Sequence, residues 1–309
     1  MPSTIWLTGA SGFTAGHLRD HLREAEPEAR LVGLARGVDN LKGFDAVHRV
    51  DMTDAEALAA AAAADPPGRV YHLAGAVPPA SEEAMYFTNV AGTRLLIEAV
   101  ASSESPPVRV LVVSSAAVYR PSADPVVETS PAGGANAYGR SKWSQEQVAL
   151  TAGLEFGVDV RIARTFNLIG PGLPGRLLAG SVCARLQKDD VGTGPLEMGD
   201  LSAFRDFIDV RDAVAAYRTI LENGQPGVTY NVCRGEGLRS RSLVRQLIDL
   251  SGTRRDLVER STTQRPGVDR SVGDVSALRD LGWTPRISLK QSLRDMLEAA
   301  ARQSKGLKV

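Results

Sequence analysis

The chain has 309 residues, 43% hydrophobic and 23% charged, which fits one large α/β unit or two smaller ones and excludes global disorder. Lys plus Arg number 36 and Asp plus Glu number 36, so no surplus of cations is available to displace counterions from a nucleic acid. Two cysteines, Cys183 and Cys233, without a CxxC spacing, and only four histidines speak against a disulfide scaffold and a Cys/His metal centre, so no metal is expected.

Residues 5–8 (IWLT) predict a short buried strand, followed by a glycine-rich turn and a helix through Leu18 and Leu22. That strand starts directly after Met1, Pro2 and Ser3, so a signal peptide is not expected and the cytoplasm is the expected compartment. No apolar run reaches the roughly 18 residues of a membrane span. Residues 30–35 (RLVGLA) and 46–50 are the second and third strands. Residues 53–56 (TDAE) carry a capping-box pattern, with Thr53 as the expected cap of an Ala-rich helix that ends before Asp65, Pro66 and Pro67. A fourth strand is expected at 69–73 (RVYHL), a helix with a wide apolar face at 88–102 and a fifth strand at 108–113. A helix over 136–151 and a sixth strand over 159–163 complete the alternation.

Near-continuously apolar strands separated by helices imply a parallel sheet covered on both faces, with right-handed connections. The expected fold is therefore α/β, a Rossmann doubly wound parallel sheet with a smaller C-terminal α/β substrate-binding domain. After Phe166 the loop GPGLPG at 170–175 breaks the pattern, and 240–250 and 289–301 are the clearest late helices. The expected division is a dinucleotide-binding domain over 1–166 and a mainly substrate-binding domain over 167–309, with 205–222 packing back on the first. No internal repeat is visible.

The turn TGASGFTA at 8–15 lies between the first strand and the first helix. Backbone free of side chains there can approach a pyrophosphate, and the helix start offers unpaired N–H donors. Gly9, Ser11, Gly12, Phe13 and Thr14 are the expected cofactor contacts. Ala15 stands where many such turns carry a third glycine, and it is small enough for close packing. The second strand ends in Arg36 rather than the acid that grips a ribose 2′-hydroxyl, which favours NADP(H) over NAD(H) while leaving NAD possible. Asp51 can accept from the adenine amino group or serve as a helix-entry carboxylate.

Tyr138 and Lys142 lie four residues apart and so share one face of a helix. A cation beside a phenol favours the phenolate, so Lys142 is expected to lower the Tyr138 pKa and make it an acid/base at a sugar oxygen. Ser115, at the C-terminal end of the fifth strand, is placed to hydrogen-bond the same oxygen, although a turn-forming serine accounts for it equally well.

With these residues go VDMTD at 50–54, YHLAG at 71–75, NVAGT at 89–93, SSAAVY at 114–119, YGRSK at 138–142, RTFNLIGPG at 164–172 and RDFIDVRD at 205–212. YNVC at 230–233, Arg265-Pro266 and LGWTP at 281–285 follow. Together these motifs resemble the extended short-chain dehydrogenase/reductases, and the later blocks are most similar to the branch holding GDP-4-keto-6-deoxymannose reductase and GDP-mannose dehydratase. The resemblance implies that Tyr138 is the acid/base, that Lys142 binds the nicotinamide ribose, and that Ser115 orients the sugar oxygen. It implies that Asp51, Met52, Leu73, Ala74 and Gly75 line the cofactor. It further implies that Asn167 contacts a substrate diphosphate and that Arg205 and Arg265 clamp it through paired donors. Ala116 and Ala117 depart from the pattern of the 4,6-dehydratases, which place carboxylates after the catalytic Ser/Thr. Alanine cannot transfer protons, so dehydration is disfavoured. Arg120 replaces a usual glycine.

The resemblance implies an NAD(P)-dependent enzyme acting on a nucleotide-diphosphate sugar. A 4-keto-6-deoxyhexose reductase is preferred over a 4-epimerase with tightly bound NAD and over a non-catalytic NADP-sensing regulator. The loops at 177–188 and 198–201 are expected to read the base. The helices at 88–102 and around Tyr138 are expected to pair in a homodimer.

Overall fold

The computed structural model describes residues 3–37, 41–102, 108–187, 194–253, 255–260, 269–304 and 306. In chain order the first elements are β1 (Thr4–Thr8), α1 (Phe13–Ala25), β2 (Arg30–Ala35), β3 (Ala46–Arg49), α2 (Ala55–Ala64) and β4 (Arg69–His72). Then come α3 (Glu82–Tyr86), a π-helical turn (Phe87–Ala91), α4 (Gly92–Ala101), β5 (Arg109–Ser115), a 3₁₀ turn (Ala116–Val118), α5 (Ala137–Phe156) and β6 (Asp159–Thr165). The later chain forms β7 (Asn167–Ile169), α6 (Leu178–Leu186), β8 (Leu196–Met198), β9 (Phe204–Asp209), α7 (Val210–Asn223) and β10 (Thr229–Val232). It ends with β11 (Gly237–Arg239), α8 (Ser240–Ser251), β12 (Leu257–Glu259), β13 (Arg270–Ser271), α9 (Ser276–Asp280) and α10 (Leu289–Ser304).

Seven strands form one parallel sheet in the order β10-β6-β5-β4-β1-β2-β3. The order reverses between β1 and β4, and ligands of such sheets bind in the crevice beyond the strand ends at that switch point. Thr8 and His72, register partners, mark the place. Apolar side chains fill both faces. Leu18, Leu22, Val214 and Tyr217 pack with β1 and β5 on one side, and Leu58, Leu96, Ile97 and Ala149 pack on the other. A third core lies in the later chain, where Val182, Leu243, Leu247 and Leu293 join α6, α8 and α10. The smaller strands β7, β9, β11 and β13 form a second sheet. Thr229–Val232 pairs with β6, so a segment far along the chain completes the large sheet.

Three local expectations need correction. Asp54, not Thr53, caps α2, accepting from the Ala57 amide at 3.0 Å, while the Thr53 hydroxyl donates to Asp51 at 2.8 Å. A short aspartate side chain is an equally good cap, and the Thr53 hydroxyl is already engaged with Asp51, two residues earlier. The helix expected at 88–102 begins six residues sooner, at Glu82, where Ser81 caps it. It then passes through the π turn, which shifts the apolar spacing that set the expected start. Helix α5 runs to Phe156 rather than 151, ending at Gly157 with φ +70°.

Candidate active site

The glycine turn is shaped by close approach. Gly9 has φ +64°, and a Cβ there would lie 3.0 Å from the backbone N and Cα of Ala74. Gly12 precedes α1 and donates its amide to Gly9 O at 2.8 Å, and no side chain caps the helix. The first-turn amides are therefore left for another acceptor, while Ser11 and Gly12 are exposed and Phe13 and Thr14 half-buried. Such a bare turn at the switch point fits a dinucleotide pyrophosphate.

Arg36 directly follows β2 as an exposed side chain, and its charge helps to hold the Asp51 carboxyl below the usual range, behind the hydrogen bonds from Thr53. Met52 is buried and packs against α4, where a Cβ on Gly92 would come within 3.0 Å of it. Leu73 and Ala74 are half-buried and Gly75 is exposed. A Cβ on Gly75 would lie 3.9 Å from Lys142 Nζ, so the predicted cofactor turn and the predicted lysine do meet.

Ser115 closes β5 and accepts from the Ala117 amide at 3.2 Å. Asn136 caps α5 through the Gly139 amide at 2.8 Å, which sets Tyr138 in the first turn. Gly139 is required there, because a Cβ would lie 2.2 Å from the Ala117 carbonyl oxygen. This contact presses α5 against the 3₁₀ turn and brings the Tyr138 phenol within hydrogen-bonding reach of Ser115.

The expected lowering of the Tyr138 pKa is not found. Burial raises it, opposed only by the Ser115 hydrogen bond. Lys142 turns its Nζ to the Val113 carbonyl at 2.8 Å, and burial brings its own pKa down to about 8, with Glu146 pulling upward. Glu146 is itself buried in a bidentate pair with Arg164, at 2.7 and 3.0 Å, and the Arg164 guanidinium stacks over Tyr119 and Trp143. The lysine thus sits on a fixed internal charge array rather than on a flexible surface.

Ala116 and Ala117 follow Ser115 in the 3₁₀ turn, so no carboxylate stands beside it there. Arg120 is exposed. Asn167 on β7 donates to Asp206 O at 3.1 Å. Arg205 on β9 is engaged by Asp269, with Nη2 to Oδ2 at 2.7 Å, so a phosphate there must share this guanidinium with a carboxylate. Arg265 lies outside the described residues, as does Lys188 at the end of one predicted base-reading loop.

Residues that the motif reading left without a role join the two halves of the site. Asn89, within the π turn, accepts from Ala76 N at 2.7 Å and donates to Ala76 O and to Ser141 Oγ at 3.0 and 3.1 Å. His72, Thr93 and Gln145 lie buried beside it. Their signal was a set of polar side chains in otherwise apolar segments, each of which must find a partner. Among the described residues no group of three His, Cys, Asp or Glu side chains could hold a metal, and no helix is long and apolar enough to cross a membrane.

Residues 5–233 match the NAD dependent epimerase/dehydratase family. Over 308 residues the chain is 32% identical to the GDP-6-deoxy-D-mannose reductase of Pseudomonas aeruginosa, covering 96% of this chain and 97% of that one. It is 32% identical over 240 residues to the dTDP-6-deoxy-L-talose 4-dehydrogenase (NAD(P)(+)) of Kitasatospora kifunensis, covering 74% of each. The solved structure of RMD from Pseudomonas aeruginosa complexed with NADPH superposes with a TM-score of 0.85 at 30% identity, covering 97% of this chain and 99% of that one. The parallel sheet, the bare glycine turn at its switch point and these matches agree: the chain belongs to the NAD dependent epimerase/dehydratase family, the extended short-chain dehydrogenase/reductases.

Proposed function

We propose that the chain is an NADPH-dependent reductase of a 4-keto-6-deoxyhexose carried on a nucleoside diphosphate, with Ser115, Tyr138 and Lys142 as its catalytic residues. The observation that carries this reading is the meeting of Ser115 with Tyr138 beside a lysine that reaches the Gly75 turn. When bound, the nicotinamide supplies a hydride to the sugar carbonyl carbon. Ser115 then orients the carbonyl oxygen, and Tyr138 delivers its phenolic proton to that oxygen as charge develops on it. Burial keeps the phenol protonated at neutral pH, which is the form a reduction consumes. Lys142, whose ammonium lies beside the Gly75 turn, holds the nicotinamide ribose in this reading. Alanine at 116 and 117 supports ketone reduction over water elimination.

Gly9, Ser11, Gly12, Phe13, Thr14, Arg36, Asp51, Met52, Leu73, Ala74 and Gly75 are the cofactor residues in this reading. Arg36 favours the 2′-phosphate of NADP(H), and NAD remains usable. Asn167, Arg205 and Arg265 take the substrate diphosphate. In this reading residues 1–166 form the dinucleotide unit together with α7 and β10, whereas β9 at 204–209 belongs to the second sheet and goes with the rest, which is mainly the substrate unit. We place the enzyme in the cytoplasm, consistent with the two buried free thiols. It acts as a homodimer through α4 and α5 and the π turn, where Phe87 and Leu154 remain 60% and 89% exposed. The test is NADPH oxidation by the purified chain with GDP- and dTDP-linked 4-keto-6-deoxyhexoses. Turnover with stoichiometric NADP⁺ supports the reading. Interconversion of sugars on retained NAD without added cofactor overturns it.

A further inference from the structure

His72 ends β4 with no solvent exposure, and both ring nitrogens are bonded: Nδ1 to Thr8 Oγ1 and Nε2 to Thr93 Oγ1, each at 2.8 Å. The Thr93 end of this chain settles its polarity for a neutral ring. At one end the Ala74 amide can only donate, and it does so to Thr8 Oγ1 at 3.0 Å. At the other end the Asn89 carbonyl can only accept, and Thr93 Oγ1 donates to it at 2.6 Å. Thr93 has thereby used its proton, so it accepts from His72 Nε2–H. Nδ1 is then bare and accepts the Thr8 proton. Thr93 also accepts from the Gln145 amide at 2.8 Å; the same amide nitrogen lies 3.3 Å from His72 Nε2, which carries its own proton and so does not accept from it. Burial and the Lys142 cation both disfavour a charged ring.

The chain of bonds connects two parts that must stay aligned. Ala74 belongs to the turn facing the cofactor. Gln145 lies on α5 one turn beyond Lys142 and two beyond Tyr138. We infer that His72 is a positioning residue: as the neutral Nε2–H tautomer it holds the 73–76 turn and the catalytic helix in one register, its Nδ1 side setting cofactor affinity and its Nε2 side setting the rate of the chemical step. The inference rests on reading this crevice as the NADPH site.

Two variants separate the sides. His72→Asn keeps an acceptor toward Thr8 but cannot reach Thr93. His72→Gln reaches Thr93 with its amide but loses the acceptor toward Thr8. For His72→Gln the NADPH Kd, read by quenching of protein fluorescence, rises about tenfold while kcat at saturating NADPH stays within about threefold, as one lost hydrogen bond implies. For His72→Asn the Kd stays within about twofold and kcat falls about tenfold. Equal changes in both variants, or a shift in melting temperature alone, overturn the inference. In the unmodified chain, ¹⁵N-histidine NMR is expected to show His72 with Nε2 protonated and Nδ1 bare throughout pH 5–8. An Nδ1–H tautomer, or titration within that range, overturns it even if a variant fails to fold. Should no 4-keto sugar be reduced, the proposed reaction fails, while the Kd split and the tautomer still decide the role of His72.

Discussion

Replacing Lys142 by Met is expected to abolish most activity and yet to relieve a cost to folding. Burial holds the Lys142 ammonium at a pKa of about 8, against 10.5 for the free side chain. That difference corresponds to about 3 kcal/mol of instability while the buried group is charged. Between the two values the unfolded chain binds a proton that the folded chain has released. Stability of the unmodified protein therefore rises with pH through that window, and the full cost is present below about pH 8. The variant has no such group. It also strands the Val113 carbonyl that Lys142 satisfies at 2.8 Å, a loss of about 1–3 kcal/mol that does not depend on pH. The informative quantity is thus the change with pH rather than the offset. Urea unfolding of both proteins at pH 7 and pH 10.5 is expected to show the variant's relative stability falling by about 3 kcal/mol toward the higher pH. A difference that stays constant with pH refutes the argument that this lysine is held charged against its environment.

Other outcomes follow from the same geometry. Glu146→Gln leaves the buried Arg164 without its counter-charge, so the protein is expected to lose about 3–5 kcal/mol in denaturant unfolding. Because Glu146 also raises the Lys142 pKa, the alkaline limb of kcat against pH moves to lower pH in that variant, and an unmoved limb contradicts the coupling. Gly9→Ala must take φ +64° and a contact of 3.0 Å with the Ala74 backbone, so NADPH affinity by titration calorimetry is expected to fall about tenfold or more. Arg36→Ala should lower kcat/KM for NADPH about tenfold or more with little change for NADH, as expected when one guanidinium–phosphate contact is removed. Equal losses for both cofactors would remove Arg36 from the 2′-phosphate.

What could be read from the residues was what repeats along a short stretch of chain. The alternation of apolar strands and helices marked the parallel sheet, and the four-residue spacing of Tyr138 and Lys142 put both on α5. The glycine turn was visible because backbone approach tolerates no side chain, as the 3.0 Å limit at Gly9 shows. Interactions between distant segments were not visible. The direction of the Tyr138 pKa depends on burial by neighbours and on where Lys142 Nζ points, and neither follows from spacing. Asp269 lies 64 residues from Arg205, so nothing local announced that the predicted phosphate clamp already holds a carboxylate. The π turn escaped because one inserted residue shifts the helical period in the middle of an otherwise regular pattern. In sequence His72 reads as one more residue of an apolar strand, because its partners Thr8, Thr93 and Gln145 come from segments far from it in the chain.

The central claim is that the Tyr138 hydroxyl completes a hydride transfer to a sugar carbonyl. Single-turnover reduction of a nucleotide-linked 4-keto-6-deoxyhexose with NADPH deuterated at both C4 positions tests it most directly. The account predicts deuterium at C4 of the product sugar, with the rate of label transfer falling by about 10²–10⁴ in Tyr138→Phe. Label absent from C4, or transfer at an unchanged rate in the phenylalanine variant, contradicts it.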